Sequence, residues 1–193
     1  KDPSGTFETI YIDGQEFVRE MPAPNPDKPK REGLGINARP EDSKEEDFIT
    51  RVMGGNDRDH RIKDPDAEGV WAEVIYPSLG IWSFNIRTPE VAMAACQVLN
   101  DWALEFQQQS PRFVCAASIP LTDVEGAVKE LNRASKGGYL AAFMPVQPPT
   151  GRPDWNDEEW EPLWQAFAET GIVIGFHIGT EPHDPTKRTG IYF

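Results

Sequence analysis

Residues 171–180 read GIVIGFHIGT. The apolar run from Ile172 to Phe176 is continuous, not alternating. That is the pattern of a strand covered on both faces, as in a parallel sheet flanked by helices. His177 closes the run, with Ile178, Gly179 and Thr180 after it. A titratable imidazole therefore stands where a buried strand comes to its end.

Three similar segments precede it. VWAEVIYPS (70–78), RFVCAASIP (112–120) and YLAAFMPVQ (139–147) are predicted strands, and 171–179 is the fourth. Helical signals fill the intervals. Thr88 is expected as an N-cap with Pro89 at the first helical position, and Val91, Ala95, Val98, Trp102 and Phe106 fall on one helical face. Thr122 and Glu125 form a capping-box signature, with Val124, Ala127, Val128 and Leu131 as the expected buried stripe and Gly137-Gly138 as the end. Trp160, Leu163, Trp164 and Phe167 mark a third helix that closes near Gly171. The order β-α-β-α-β-α-β, with crossovers long enough for parallel strands, predicts an α/β fold.

The first sixty residues differ. In TFETIYIDGQEFVRE, Asp13-Gly14 lies between apolar-rich runs and predicts a hairpin in which Ile10, Tyr11 and Ile12 face Phe17 and Val18. The stretch that follows, rich in Pro, Gly and charge, reads as a long loop over residues 22–45. The expected organisation is a hairpin-and-loop extension over 1–60 and βα units over 61–193.

Composition narrows the function. The chain has 193 residues, 38% of them hydrophobic and 26% charged, with a formal net charge of −13. Such a surface repels phosphate backbones, which argues against nucleic acid as a partner. No apolar run approaches the roughly 18 to 20 residues of a membrane span. Cys96 and Cys115 both lie in apolar segments and read as buried thiols, which fits a reducing, cytoplasmic setting. The opening KDPSG has neither an initiating Met nor a signal peptide, so the chain is expected to start within a longer protein.

Parallel architectures place chemistry at the carboxyl ends of their strands. His177 lies at such an end. Tyr76, Pro77, Ser78 and LGIWSF follow another, and Met144, Pro145 and QPPTGRP a third, so these loops read as pocket walls. Gly179 lets a ligand or backbone approach closely. An imidazole in that place can bind a metal, shuttle a proton, polarise a carbonyl or simply satisfy a backbone carbonyl, and spacing does not choose among these. His60 and His183 stand in loop-like contexts. The chain holds no HxH, HExxH or paired CxxC, no Gly-rich phosphate loop and no GxSxG elbow.

HRIKDPDAEGVWAEVIYPS, ACQVLNDWALEF followed by PRFVCAASIPLTDVEGAVKEL, the third unit ending on a PP-G-P loop, and GFHIGT together carry a resemblance. Over roughly residues 60 to 180 the chain resembles the amidohydrolase-related ("amidohydrolase 2") family that includes aminocarboxymuconate-semialdehyde decarboxylase. The resemblance implies a (β/α)8 barrel, of which this chain would carry about strands 2 to 5. It also implies a divalent metal, with His177 at the fifth-strand ligand position. The HxH strand before residue 1, the sixth-strand His and the eighth-strand Asp would lie outside 1–193, leaving a segment truncated at both ends and inactive alone. No catalytic residue is assigned within it.

The function this implies is a metal-dependent enzyme hydrolysing an amide, ester or lactone by a metal-activated water. One alternative is non-oxidative decarboxylation of an aromatic or unsaturated acid. Another is a non-catalytic barrel acting as a binding or scaffolding subunit. A nucleotide-binding doubly wound domain is disfavoured by the missing Gly-rich turn. Zn is the expected metal, with Mn or Fe as alternatives. Arg61 resembles the arginine that holds a substrate carboxylate in the decarboxylase relatives, against a competing surface ion pair with Asp64 or Asp66. Trp82 and Tyr76 are expected to wall a small-molecule substrate site, against a competing place in the core. Open sheet edges and the 1–60 extension suggest a homo-oligomer.

Overall fold

Asp13-Gly14 makes a two-residue turn with both residues at positive φ, 49° and 72°, the geometry that matches the twist of paired strands. It joins β1 (Phe7–Ile12) to β2 (Gln15–Glu20), antiparallel, with Ile10 opposite Phe17 and Thr9 opposite Val18. In the computed structural model the described residues are 7–20, 57–78 and 80–178. The expected loop over 22–45, His183 and Gly179 lie outside them. The chain divides into two units, one of residues 1–21 with 73–193 and one of residues 22–72.

In the second unit, α1 spans Arg58–Glu68. Asp57 caps it, accepting from the His60 backbone N–H at 2.8 Å, and Gly69 ends it. His60 therefore sits on a helix and not in a loop, a correction to the sequence reading. Its Nδ1 lies 2.7 Å from Asp57 Oδ1. α1 buries none of its residues.

In the first unit the four predicted strands form one parallel sheet in sequence order. They are β3 (Glu73–Ile75), β4 (Phe113–Ser118), β5 (Ala141–Pro145) and β6 (Val173–His177). The crossovers are α2 (Pro89–Gln107), α3 (Val124–Gly137) and α4 (Glu161–Thr170), so this is a curled, partial (β/α)8 barrel beside an N-terminal hairpin. A 3-10 helix, Gly80–Asn85, stands between β3 and α2. None of the described helices is long and apolar enough to cross a membrane.

Register assigns the faces. In a parallel sheet, partnered residues share a side, so Ser118, Phe143 and Gly175 point one way with Tyr76, Pro145 and His177. Phe113, Cys115 and Ala117 point the other way, toward the helices. Phe113 stacks on Phe106 of α2 at 5.2 Å. Leu131 of α3 and Leu163 and Phe167 of α4 complete the buried layer with Cys96 and Met144.

Two local expectations change. α2 buries Ala92, Cys96, Asn100 and Phe106, whereas Val91, Val98 and Trp102 of the predicted face are exposed. Small residues let the helix approach the sheet, and Asn100 has polar work there. Its amide accepts from Ser118 N–H at 2.7 Å and donates to Ser118 C=O at 2.9 Å, standing in for a strand neighbour. It also donates to the fully buried Glu130 of α3 at 2.7 Å, and Arg133 binds the same carboxylate through Nε and NH2, both at 2.8 Å. The capping box is likewise displaced. Asp123, not Thr122, caps α3 by accepting from Gly126 N–H at 2.6 Å.

Thr88 and Pro89 begin α2 as expected, but the Thr88 side chain does not cap its own helix. Asp13 of the hairpin turn instead braces the two residues that lead into it. Its Oδ2 accepts from the backbone N–H groups of Arg87 (3.1 Å) and Thr88 (2.8 Å) and from the Thr88 hydroxyl (2.8 Å). These bonds hold the Asp13 carboxyl below its ordinary range.

Candidate active site

The curl of the sheet brings its two edge strands together on the concave side. Tyr76, one residue beyond β3, packs against His177 at the end of β6 with ring centroids 5.2 Å apart. It meets Phe143 of β5 edge-on at 6.1 Å. Tyr76 also lies over Gly175, where a Cβ would overlap the phenol oxygen. The glycine makes room for the tyrosine. Phe84, from the 3-10 helix, closes the other side of Phe143 at 5.1 Å.

His177 Nδ1 lies 2.6 Å from the carbonyl oxygen of Ile178. A carbonyl can only accept, so Nδ1 carries a proton in this contact, which leaves Nε2 as the nitrogen of a neutral ring that could bind a metal. A backbone carbonyl behind Nδ1 is the usual support of a metal-binding imidazole. The donor chemistry of His177 thus suits a divalent ion. Among the described residues, however, no group of three or more His, Cys, Asp or Glu side chains could hold a metal ion.

The remaining candidates are distributed unevenly. Tyr76 is 37% exposed on the concave face and touches His177. Trp82 is half-buried on the 3-10 helix, and its backbone carbonyl accepts from Asn85 at 3.4 Å. The residue of that helix that reaches the Tyr76–Phe143 group is Phe84. Arg61 is half-buried in α1, within the second unit.

A cavity of about 170 Å³ lies beside this group, among loops that the sequence reading took as pocket walls. It lies between the loops that follow β3, β4 and β5, and Phe84, Arg87, Leu121, Pro149 and Arg152 are among its lining. The loop after β5 is pinned by three indole N–H groups. Trp155 donates to Val146 C=O (3.0 Å), Trp160 to Pro153 C=O (3.1 Å) and Trp164 to Trp155 C=O (3.1 Å).

Comparisons with known proteins agree with this architecture. Residues 77–191, more than half of the chain, match the sequence model of a family described as amidohydrolase. No curated protein sequence matches. Among solved structures, 2,6-dihydroxybenzoate decarboxylase from Rhizobium is similar at 22% identity with a TM-score of 0.57, over 66% of this chain and 41% of that one. A dihydroxybenzoic acid decarboxylase from Polaromonas sp. JS666, with bound manganese and the inhibitor 2-nitroresorcinol, is 22% identical with a TM-score of 0.57, over 64% of this chain and 38% of that one. An amidohydrolase from Mycobacterium avium subsp. paratuberculosis K-10 is 22% identical with a TM-score of 0.59, over 75% of this chain and 40% of that one. The chain spans about two fifths of the length of these structures. At such identity the likeness establishes the fold.

Proposed function

The chain belongs to the amidohydrolase family, and we propose that it contributes to a metal-dependent enzyme in which His177 is one ligand of a divalent ion. The observation that carries this reading is the placement of His177. It stands at the carboxyl end of a barrel strand, on the concave face, with Nδ1 bound to a backbone carbonyl. The other ligands would come from outside the described residues.

The bound ion would supply Lewis acidity and an activated water. The first reading of the reaction is hydrolysis of an amide, ester or lactone. His177 would present Nε2 to the ion, and the Ile178 carbonyl would hold the ring in that tautomer. Tyr76 and Trp82 would give the substrate an aromatic wall, and Arg61 would pair with a substrate carboxylate. A second reading, loss of CO₂ from an aromatic or unsaturated acid, is favoured by the two decarboxylases among the similar structures. The manganese in one of them puts Mn²⁺ beside Zn²⁺ as the ion to test. Self-association is part of the proposal, supported by the exposed Val91, Val98 and Trp102 along α2.

The deciding experiment uses the full-length protein stripped of metal and reloaded with Mn²⁺ or Zn²⁺. It is offered a panel of amides, esters and lactones beside a panel of hydroxybenzoates, with hydrolysis products and CO₂ measured separately. Turnover that returns only with metal supports the reading, and the product chooses the reaction. Metal-independent turnover, or none on either panel, counts against it.

A further inference from the structure

Val91, Ala95, Val98 and Trp102 follow one another along α2 at alternating steps of four and three residues, the spacing of helices that pack side by side. This seam is not the face that α2 turns to its own sheet, which is formed by Ala92, Cys96, Asn100 and Phe106. Nor is it the flank that meets α3, where Arg133 binds the Asp101 carboxylate at 2.6 Å. Val98 is 69% exposed, Trp102 53% and Val91 46%, with the half-buried Ala95 between them. Single exposed apolar residues are ordinary, but a stripe in register marks a contact surface. Trp102 stacks on Phe106, ring centroids 6.0 Å apart, so its ring is already held as an anchor.

The charges at the two ends of the helix say what fits the seam. Arg87 stands just before the N-terminal end, on backbone that Asp13 fixes through the Arg87 and Thr88 N–H groups. Glu105 lies in the last turn, which carries no base. A helix dipole favours the opposite arrangement, with acids at the start and bases at the end. Both side chains are exposed, and neither makes a hydrogen bond or ion pair among the described residues. They cannot meet each other, because residues 87 and 105 are about 27 Å apart along a helix axis. A second α2 laid antiparallel sets Ala95 against Val98 and Val91 against Trp102. The same register brings Glu105 of each copy to Arg87 and to the positive helix start of the other. A parallel pair would place like charges together instead.

We propose that α2 is the contact helix of a homodimer, paired antiparallel with its copy about a two-fold axis between Ala95 and Val98. The axis makes every contact occur twice, as a self-complementary interface requires. Val91, Val98 and Trp102 form its apolar centre, and Arg87–Glu105 pairs close both ends. The dimer rests on the self-association already proposed and gives it a surface; it does not depend on the metal.

The test is sedimentation equilibrium of the full-length protein over a concentration series. The parent is compared with Val98→Glu, Arg87→Glu, Glu105→Arg and the double charge reversal, with circular dichroism as the check of folding. The parent should associate, and Val98→Glu, which buries two charges per interface, should weaken association by roughly a hundred-fold. Each single reversal should weaken it by about ten-fold, and the double variant should return to within about three-fold of the parent. Rescue of this kind reads a contact between copies, since the two side chains are too far apart to compensate within one chain. A monomeric parent would overturn both this dimer and the self-association. A parent that associates but is unmoved by Val98→Glu would leave self-association standing and overturn this surface. A double variant no better than the single reversals would overturn the antiparallel pairing.

Discussion

Tyr76 and His177 come from opposite edges of a four-stranded sheet, yet their rings lie 5.2 Å apart. In a flat sheet, three inter-strand spacings of roughly 4.8 Å would separate those edges by about 14 Å. Their contact measures the curl of the sheet, and Gly175 permits it by leaving space for the phenol.

Gly175→Ala should therefore push Tyr76 away from His177. The expected cost is about 1–3 kcal/mol, the usual range for an added methyl in a packed site. Urea unfolding reads the stability, and the His177 ring-proton shifts in NMR read the lost ring neighbour. A variant with wild-type stability and unchanged shifts would show that Tyr76 does not rest on Gly175.

Glu130 has no solvent exposure and is held by Asn100 and Arg133. Glu130→Ala would leave the Asn100 amide and part of the guanidinium without their acceptor. We expect a loss of about 3 kcal/mol in urea unfolding. Asn100→Ala should cost roughly 2 kcal/mol, because it strips two backbone groups of Ser118 as well. The double variant should lose less than the sum, since both changes break one network.

Burial, with a smaller push from Glu130, raises the Cys96 thiol from 9.0 to about 12. The thiolate is the reactive form, so Cys96 should resist a thiol reagent at pH 8 until the protein unfolds. The shift also has a stability sign. Between about pH 9 and 12 the unfolded thiol ionises and the buried one does not, so this contribution is full below pH 9 and is lost as pH rises through the window. Rapid labelling of native Cys96 at pH 8 would contradict the burial.

Asp13 tethers the two residues that lead into α2, and its carboxyl is held below 3.8 by the Thr88 hydroxyl, the Thr88 N–H and the Arg87 N–H. The tether is full strength above the unfolded value and fades as pH falls through the lower folded value. Hydrogen exchange of the Arg87 and Thr88 amides should accelerate in Asp13→Ala at pH 7. Acid should lower the protection factors there, after correction for the slower intrinsic exchange at low pH, in the parent protein and change them little in the variant.

Much of the barrel was legible because each strand is a short apolar run bounded by turn residues, and Pro89 and Gly138 mark helix ends by their backbone chemistry alone. α1 was not read as a helix because it buries no residue and so has no apolar period, and because Pro65 lies inside it. The buried side of α2 was misjudged for a related reason. Val91, Val98 and Trp102 look like a core stripe, but Ala92, Cys96 and Asn100 allow closer approach to β4 and meet its polar backbone. At the candidate site, the end of a strand announced His177. Tyr76 and the loops that wall the cavity were also read as site walls, but the packing of Tyr76 on His177 and Phe143 could not be, because it depends on how far the sheet curls.

The most direct test of the central claim is elemental analysis of metal in the full-length protein beside its His177→Ala variant, each incubated with Mn²⁺ or Zn²⁺ and then desalted. The account predicts about one divalent ion per chain in the parent protein and loss or clear weakening of it in the variant. Equal metal in both, or none in either, would contradict the assignment of His177 as a ligand.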